Sequence, residues 1–502
     1  MENDKVIVAI ELGSSKISGV AGQIKADGSL KVLAYAWTPS SSCIRHGAVY
    51  NLDKTANAIA EVVGRLDTIL STRIEKVYVG YNAKGLRSVI SRVEHQFDEE
   101  TVVSQEVIDD MFQQCSEIEY EGYVNLFQES QEYVVDNKRG TETDPMGVAC
   151  RSLEGNYLNI LLKKQVADYI GQCFRTAQVQ ILDGYVAPMV QADAVLTDDD
   201  RQQGCALVDY GADTTTVSVY KNGLMRFLRV IPLGSSLITR DLSSILKIEM
   251  EQAEQLKCTY GLCNLIGSQD ADETITINDR KVSLKEIGDI IEARNEEIIR
   301  NVCAQIKASG YSEVLYAGIV LTGGGSQLRQ LDQVFAKLMP SMRKPRLALE
   351  PSCGVIWNEQ SWKRGDGSQL ALLSVMAKGD ENCCELPKMD AIDNVAPEDQ
   401  NRVVQQSLFT DEGESAQEEK DRKEEEERKQ AMIAAAEQEK EKEEKEKEES
   451  GKTGGKKKKN MFQRFYESLM NAGEDFFDGE KEEKERKAQE EQEKQEKQDA
   501  AQ

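Results

Sequence analysis

Two stretches about 200 residues apart carry the same hydrophobic pattern. Val6–Gly22 reads VIVAIELGSSKISGVAG, and Cys205–Tyr220 reads CALVDYGADTTTVSVY. Each is an apolar strand that ends in a carboxylate, Glu11 or Asp209. A glycine follows one residue later (Gly13, Gly211), then small or polar residues, then a second strand. Both run on through a hairpin signal, Asp27-Gly28 or Asn222-Gly223, into a third strand. The pattern therefore predicts one sheet-building unit used twice. A third buried strand ends in a glycine turn, AGIVLTGGGSQL, and Asp241–Tyr260 has apolar residues at helical spacing.

The chemistry of the repeated turn follows from its residues. A glycine turn lets backbone N–H groups approach an anion closely, and neighbouring hydroxyls add donors. Gly13, Ser14, Ser15 and Lys16 form the first such loop; Gly211, Ala212, Asp213, Thr214 and Thr215 form the second. Lys16 supplies a point charge for a phosphate. Glu11 and Asp209, at the strand ends, are placed to hold Mg²⁺ through water. Two such loops facing each other would clamp a polyphosphate from both sides. Gly323, Gly324 and Gly325 lack the GK[ST] ending of a Walker loop and offer a further point of close backbone approach, to a base or ribose. Glu254 and Lys257 lie three apart and share a helix face.

The pattern changes beyond about Glu381. Residues 401–502 hold 22 Lys+Arg and 31 Asp+Glu, and 414–449 is nearly all Glu, Lys, Gln, Arg and Ala, so this stretch has no apolar stripe to bury. One exception lies within it. Met461, Phe462, Phe465, Tyr466, Leu469 and Met470 fall on one side of a helix, Phe476 and Phe477 extend the apolar content, and four lysines precede it. Such a helix fits either a bilayer interface or a partner's groove, and the basic run favours an anionic membrane surface.

Composition narrows the classes. A net charge of −26 makes the chain a poor nucleic-acid binder, so no nucleic-acid partner is expected. No stretch reaches the ~20 apolar residues of a spanning helix, and MENDKVIVAIELGSS lacks the basic region and cleavage site of a secretory signal. The expectation is a cytosolic chain. Its 11 Cys and two His (His46, His95) show no CxxC pair, so the thiols read as small apolar residues rather than zinc ligands.

The two phosphate hairpins, the GGGS turn and the AEQLK stretch resemble the actin/sugar-kinase/heat-shock-chaperone ATPase fold. More closely, the chain resembles the FtsA family of bacterial cell-division proteins. The match runs through VLAYAWTPSSSCIRHGAVYNLDKTANAI, VYVGYNAKGLRSV, DPMGVACRSLEGNYLNILL, VIPLGSSLITRDLSSIL and the C-terminal amphipathic helix, covering about residues 5–380 plus that helix. The resemblance implies an α/β fold of two actin-like halves with a relocated small subdomain. The first half would be 1–83 with 166–203, the inserted subdomain 84–165, and the second half 204–380 with its own small subdomain at 236–310. A charged linker (381–455), a membrane-targeting helix (456–479) and a charged tail (480–502) would follow.

By the same resemblance, ATP with Mg²⁺ would sit between the halves. Asp209 would take the metal-linked position, Glu254 and Lys257 the ribose and adenine contacts, and Gly323–Gly325 the adenosine motif. The protein would polymerise on the cytoplasmic face of the inner membrane at the division site, tether FtsZ and recruit later division proteins. FtsZ would dock near Arg294, on 236–310. Two residues depart from the family pattern in the second loop, where Ala212 and Asp213 replace glycines. Asp213 is expected to bring a second negative charge toward a phosphate, so ATPase activity is expected to be weak. Ser374 stands where the family commonly has glycine. The alternative is a sugar-type kinase or another ATPase of the same fold. A chaperone ATPase needs a folded substrate domain that 381–502 does not have the composition to build.

Overall fold

A computed structural model describes residues 5–136, 140–261, 274–277 and 280–385. Among these residues, two large sheets grow from the two copies of the repeated unit. In the first, strands Ile7–Leu12, Lys16–Ile24 and Leu30–Pro39 pair antiparallel in succession, with Ile10 opposite Gly19. Strand Lys76–Tyr81 joins Ile7–Leu12 in parallel, and Gln180–Val186 lies beyond it. In the second, Cys205–Tyr210, Thr215–Lys221 and Leu224–Ile231 pair the same way, and Gly318–Thr322 takes the parallel place beside Cys205–Tyr210. The leading strands are apolar runs, Ile7–Ile10 and Cys205–Val208, buried along their length, as strands covered on both faces must be. The turn Asn222-Gly223 has positive φ at both residues, 55° and 81°, which matches the right-handed twist of the flanking strands.

Helices cover both sheets. Helix Leu52–Leu70 starts where Asn51 accepts from the Lys54 N–H, and it buries Ile59, Val62, Val63 and Leu66 against the first sheet. Helix Leu284–Ala308 is capped by Ser283, whose hydroxyl accepts from the Glu286 N–H. It buries Ile287, Ile290, Ile291, Ile298, Val302 and Ile306 in the core of the second half. No described helix is long and apolar enough to cross a membrane.

The chain departs from the expected boundaries in three places. Residues 355–376 return to the first half although 204–380 was assigned to the second. Strand Val355–Trp357 pairs in parallel with the edge strand Leu30–Pro39, and Trp357 packs edge-on against Tyr35. Helix Leu370–Met376 is buried at every residue, with Leu372, Leu373, Val375 and Met376 in the first core. These short apolar runs cover first-half surface that would otherwise face water. Ser374 fits there because its hydroxyl donates to the Leu370 carbonyl at 2.7 Å, one turn back.

The second departure concerns 84–165. Strands Arg87–Val102, Ala149–Lys163 and Tyr123–Val135 form an antiparallel sheet with helix Gln105–Ser116. Their local core contains Met111, Cys115, Tyr133 and Tyr157. Arg87 pairs with Arg229, so this sheet continues that of the second half. Leu158 and Ile160 also share a core with Leu207 and Leu228. Third, the folded head extends past 380. The Cys383 N–H donates to the Val6 carbonyl at 2.8 Å, and the Glu385 N–H donates to the Arg73 carbonyl at 2.9 Å. The rest of the linker expected at 381–455, the amphipathic helix from Met461 to Phe477 and the charged tail lie outside the described residues.

Candidate functional site

The duplicated hairpins place their turns at the same end of their sheets, and the two turns face each other across a cavity of about 580 Å³. The first loop is braced from below. Ser40 donates its hydroxyl to the Gly13 carbonyl at 2.6 Å and its N–H to the Ser15 carbonyl, while Ser14 Oγ accepts from the Gly47 N–H. In the second loop the Gly211 N–H donates to the Thr214 carbonyl at 2.9 Å, closing the turn. The loops also meet across the cleft, where His46 Nδ1 lies 3.0 Å from the Asp213 carbonyl oxygen.

Gly13, Ser14, Ser15, Lys16, Gly211, Ala212, Asp213 and Thr214 all line the cavity. Thr215 does not. Its side chain is fully buried and donates to the Leu233 carbonyl at 2.8 Å, so it is a structural group of the hairpin rather than a phosphate contact. The expected effect of Asp213 is also corrected. Its carboxylate accepts from the Ser236 hydroxyl, at the first turn of helix Ser236–Leu246, and Arg240 lies 3.7 Å away. The side chain therefore fastens the loop to that helix, and Arg240 offsets its charge at the cavity wall.

Glu11 and Asp209 form the floor. Asp209 Oδ2 accepts from Gln191 Nε2 at 3.1 Å and from Asn82 Nδ2 at 3.5 Å, and burial raises its pKa against the Gln191 bond. Glu11 is partly exposed, but its Oε2 is buried and has no hydrogen-bond partner among the described residues. Burial pushes its pKa up to about 7, opposed by Lys16 and reinforced by Asp209. Burial, followed by the nearby Arg364 guanidinium, lowers the Lys16 ammonium.

No group of three or more acidic, His or Cys side chains converges among the described residues. An orphaned carboxylate oxygen beside a second carboxylate nevertheless suits Mg²⁺, which keeps several waters and takes one or two carboxylates plus substrate phosphates. Glu11 and Asp209 are the residues that would hold it, and the ion would supply charge neutralisation for a polyphosphate.

The opposite end of the cavity is built by the small subdomain. Lys257 is buried; its Nζ lies 2.8 Å from Glu254 Oε2 and donates to Thr239 Oγ1 at 3.0 Å. Burial works against ionisation of Glu254, but Lys257 and its hydrogen bonds hold the carboxyl below its ordinary range. The half-exposed Glu254 and the Lys257 stem line the cavity beside Gly323, Gly324 and Gly325. Gly323 has φ 82°, and a Cβ there would stand 2.4 Å from Asp209 Oδ1. Only glycine lets this turn pass so close to the floor carboxylate.

Arg294 lies outside the cavity. Its guanidinium is bidentate on Asp241 and reaches Glu297 Oε2 at 2.6 Å, with 14% of the side chain exposed. These bonds tie helix Leu284–Ala308 to helix Ser236–Leu246, and they occupy the group that the resemblance presented to a partner. The sequence reading gave no role to Asn82, Gln191, Arg364 or Ser368, all of which line the cavity. Asn82 spans the halves, since its Oδ1 accepts from Thr216 Oγ1 at 2.9 Å while its Nδ2 reaches Asp209. Its stretch, VYVGYNAKGLRSV, carried part of the resemblance, but no spacing rule marks a lone asparagine after a strand.

Comparison with known proteins gives a consistent picture. The family profile described as cell division protein FtsA matches residues 206–355. A cell division protein FtsA of Pseudomonas aeruginosa is 28% identical over 341 residues, covering 65% of this chain and 79% of the relative. One from Neisseria meningitidis is 29% identical over 344 residues, covering 67% and 82%. Among solved structures, the PilM-PilN type IV pilus biogenesis complex has a similar chain, with TM-score 0.53 and 15% identity, covering 75% of this chain and 98% of that one.

Two outcomes follow from the site. Glu11 keeps its proton in the fold up to about pH 7, whereas the unfolded chain loses it near 4.5. The ligand-free fold is therefore penalised progressively as pH rises from 4.5 through 7, by about 3 kcal/mol above neutrality. Glu11→Gln should raise the thermal midpoint of the ligand-free protein at about pH 8 and lose most of that advantage near pH 5; melts across this range check it. Asp213→Gly should leave anion affinity unimproved and cost about 1 kcal/mol of stability through the lost Ser236 bond, read by urea unfolding beside nucleotide titration.

Proposed function

Because the chain belongs to the FtsA family of actin-like cell-division proteins, we propose that it is an ATP-binding scaffold. It would polymerise on the cytoplasmic face of the inner membrane at the division site, tether FtsZ filaments and recruit later division proteins. The observation that carries the nucleotide part is the opposition of two duplicated glycine–hydroxyl turns over a pair of carboxylates on the cavity floor. In this reading the triphosphate lies between Gly13–Lys16 and Gly211–Thr214. Mg²⁺ is held through water by Asp209 and Glu11. The ribose and base lie toward Glu254, Lys257 and Gly323–Gly325. Gln191 and Asn82 orient the Asp209 carboxylate by donating to it.

The membrane part rests on the sequence pattern of residues 460–477. Burying a Phe or Leu side chain gains roughly 1.5–3 kcal/mol, so the face of Met461, Phe462, Phe465, Tyr466, Leu469 and Met470, with Phe476 and Phe477 beyond, is enough for reversible attachment. Polymerisation of the head multiplies such weak anchors through effective concentration, so assembly and attachment reinforce each other.

Calorimetry with Mg·ATP tests the first part. Asp209→Ala should weaken binding at least about tenfold by removing the metal-linked carboxylate; an affinity equal to that of the parent would show that the cleft is not used in this way. The membrane part is tested by sedimentation with anionic vesicles. The double variant Phe462→Glu, Phe465→Glu should stay in the supernatant while binding nucleotide like the parent, and equal pelleting would move the helix to a protein groove.

A further inference from the structure

The segment between strand Val355–Trp357 and helix Leu370–Met376 belongs to none of the motifs above, yet it borders two cavities. On one side it closes over the phosphate end of the cleft, where Lys16 Nζ donates to Ser368 Oγ at 3.2 Å. On the other it walls an outward-facing cavity of about 500 Å³, with Tyr35, Trp37, Arg65, Ile69 and Trp362. Arg364 lines both. Its backbone is fixed. The Arg364 N–H donates to Gln369 Oε1 at 2.9 Å, and Gln369 Nε2 donates to the Trp362 carbonyl at 2.9 Å. Its guanidinium has no hydrogen bond or ion pair among the described residues and rests over the ring of Trp37, 5.2 Å from the centroid.

Two cations therefore line the same end of the cleft; after burial, Arg364 depresses the Lys16 ammonium most, against the opposing pull of Glu11 and Asp366. Neither has an ion-pair partner among the described residues. Repulsion of this kind is relieved when a polyanion enters between the charges. A guanidinium stacked on an exposed ring is held weakly compared with one making charge-assisted bonds to phosphate, for which its planar fork is suited.

We propose that Arg364 is the phosphate-sensing residue of the cleft: a nucleoside triphosphate at the first loop draws its guanidinium off Trp37 and onto the terminal phosphate, which favours triphosphate over diphosphate and uncovers the outer aromatic cavity. The proposal rests on the nucleotide reading of the cleft. It also makes the molecule its own reporter. Trp37, Trp357 and Trp362 are the three tryptophans of the chain; Trp37 and Trp362 wall the outer cavity, and Trp357 packs against Tyr35, which also walls it.

The full-length chain is titrated with Mg·ATP and Mg·ADP, following heat by calorimetry and tryptophan emission in parallel. ATP should change the emission and ADP should change it far less. Trp37→Phe should remove most of the change while the calorimetric affinity for ATP holds. Arg364→Gln should weaken ATP about tenfold and ADP less than about twofold, and Arg364→Lys, which keeps the charge without the fork, should restore part of the preference. If ATP binds by calorimetry but leaves emission unchanged, if the change survives undiminished in Trp37→Phe, or if Arg364→Gln weakens both nucleotides equally, the sensing role is overturned while the nucleotide reading stands. If the parent binds neither nucleotide, the reading beneath it fails first.

Discussion

Two carboxylates taken out of water at adjoining strand ends set the terms for everything around the cleft. Burying an ionised group without a partner is expensive, and burial is the largest cause raising the pKa of both Glu11 and Asp209. The structure meets that cost in different ways. Asp209 is given two amide donors, Gln191 and Asn82, drawn from separate segments of the first half. Glu11 is given a hydrogen bond with Ser18 and one ammonium at a distance, and keeps an idle oxygen. The hairpin register that brings these residues together follows from the strands being one unit used twice. The duplication therefore fixes where the strain lies as well as the shape of the sheets.

The remaining order of the head is organised to keep the two strand ends together. Asn82 bonds across the gap to Thr216, and His46 meets the Asp213 carbonyl. The return of residues 355–376 to the first sheet passes the chain across the cleft a second time, and Lys16 meets that return at Ser368. In the second half, Asp213 with Ser236 and Arg294 with Asp241 bind the phosphate loop and the long helix to helix Ser236–Leu246. The adenosine end of the cavity is thereby tied to the phosphate end through Asp213 and Ser236 at its wall and Arg294 and Asp241 behind it.

Much of this was legible in the sequence, for identifiable reasons. Strand repeats and glycine turns leave period and punctuation, so both hairpins and the GGG turn could be placed from the chain alone. Side-chain direction leaves no such trace. Asp213 was legible as a charge in a loop, but its orientation is decided by Ser236 and Arg240. Thr215 reads as a phosphate hydroxyl until the Leu233 carbonyl claims it. Arg294 sits in a Glu-rich helix, and the partner that encloses it, Asp241, is 53 residues away. Residues 355–376 were misassigned because a three-residue strand and a seven-residue helix carry too little periodicity to say which sheet they join.

The clasp at the end of the described chain has a mechanical meaning. Val6 N–H donates to Asn382 Oδ1, Cys383 N–H to the Val6 carbonyl, and Val8 N–H to Cys383 Sγ, so residues 382–383 lie alongside strand Ile7–Leu12. The Cys383 carbonyl also accepts from the Glu75 and Lys76 N–H groups, and Cys384 bridges Ile74. Tension applied at Glu385 is therefore shared between strand Ile7–Leu12 and the start of strand Lys76–Tyr81, neighbours in the first sheet.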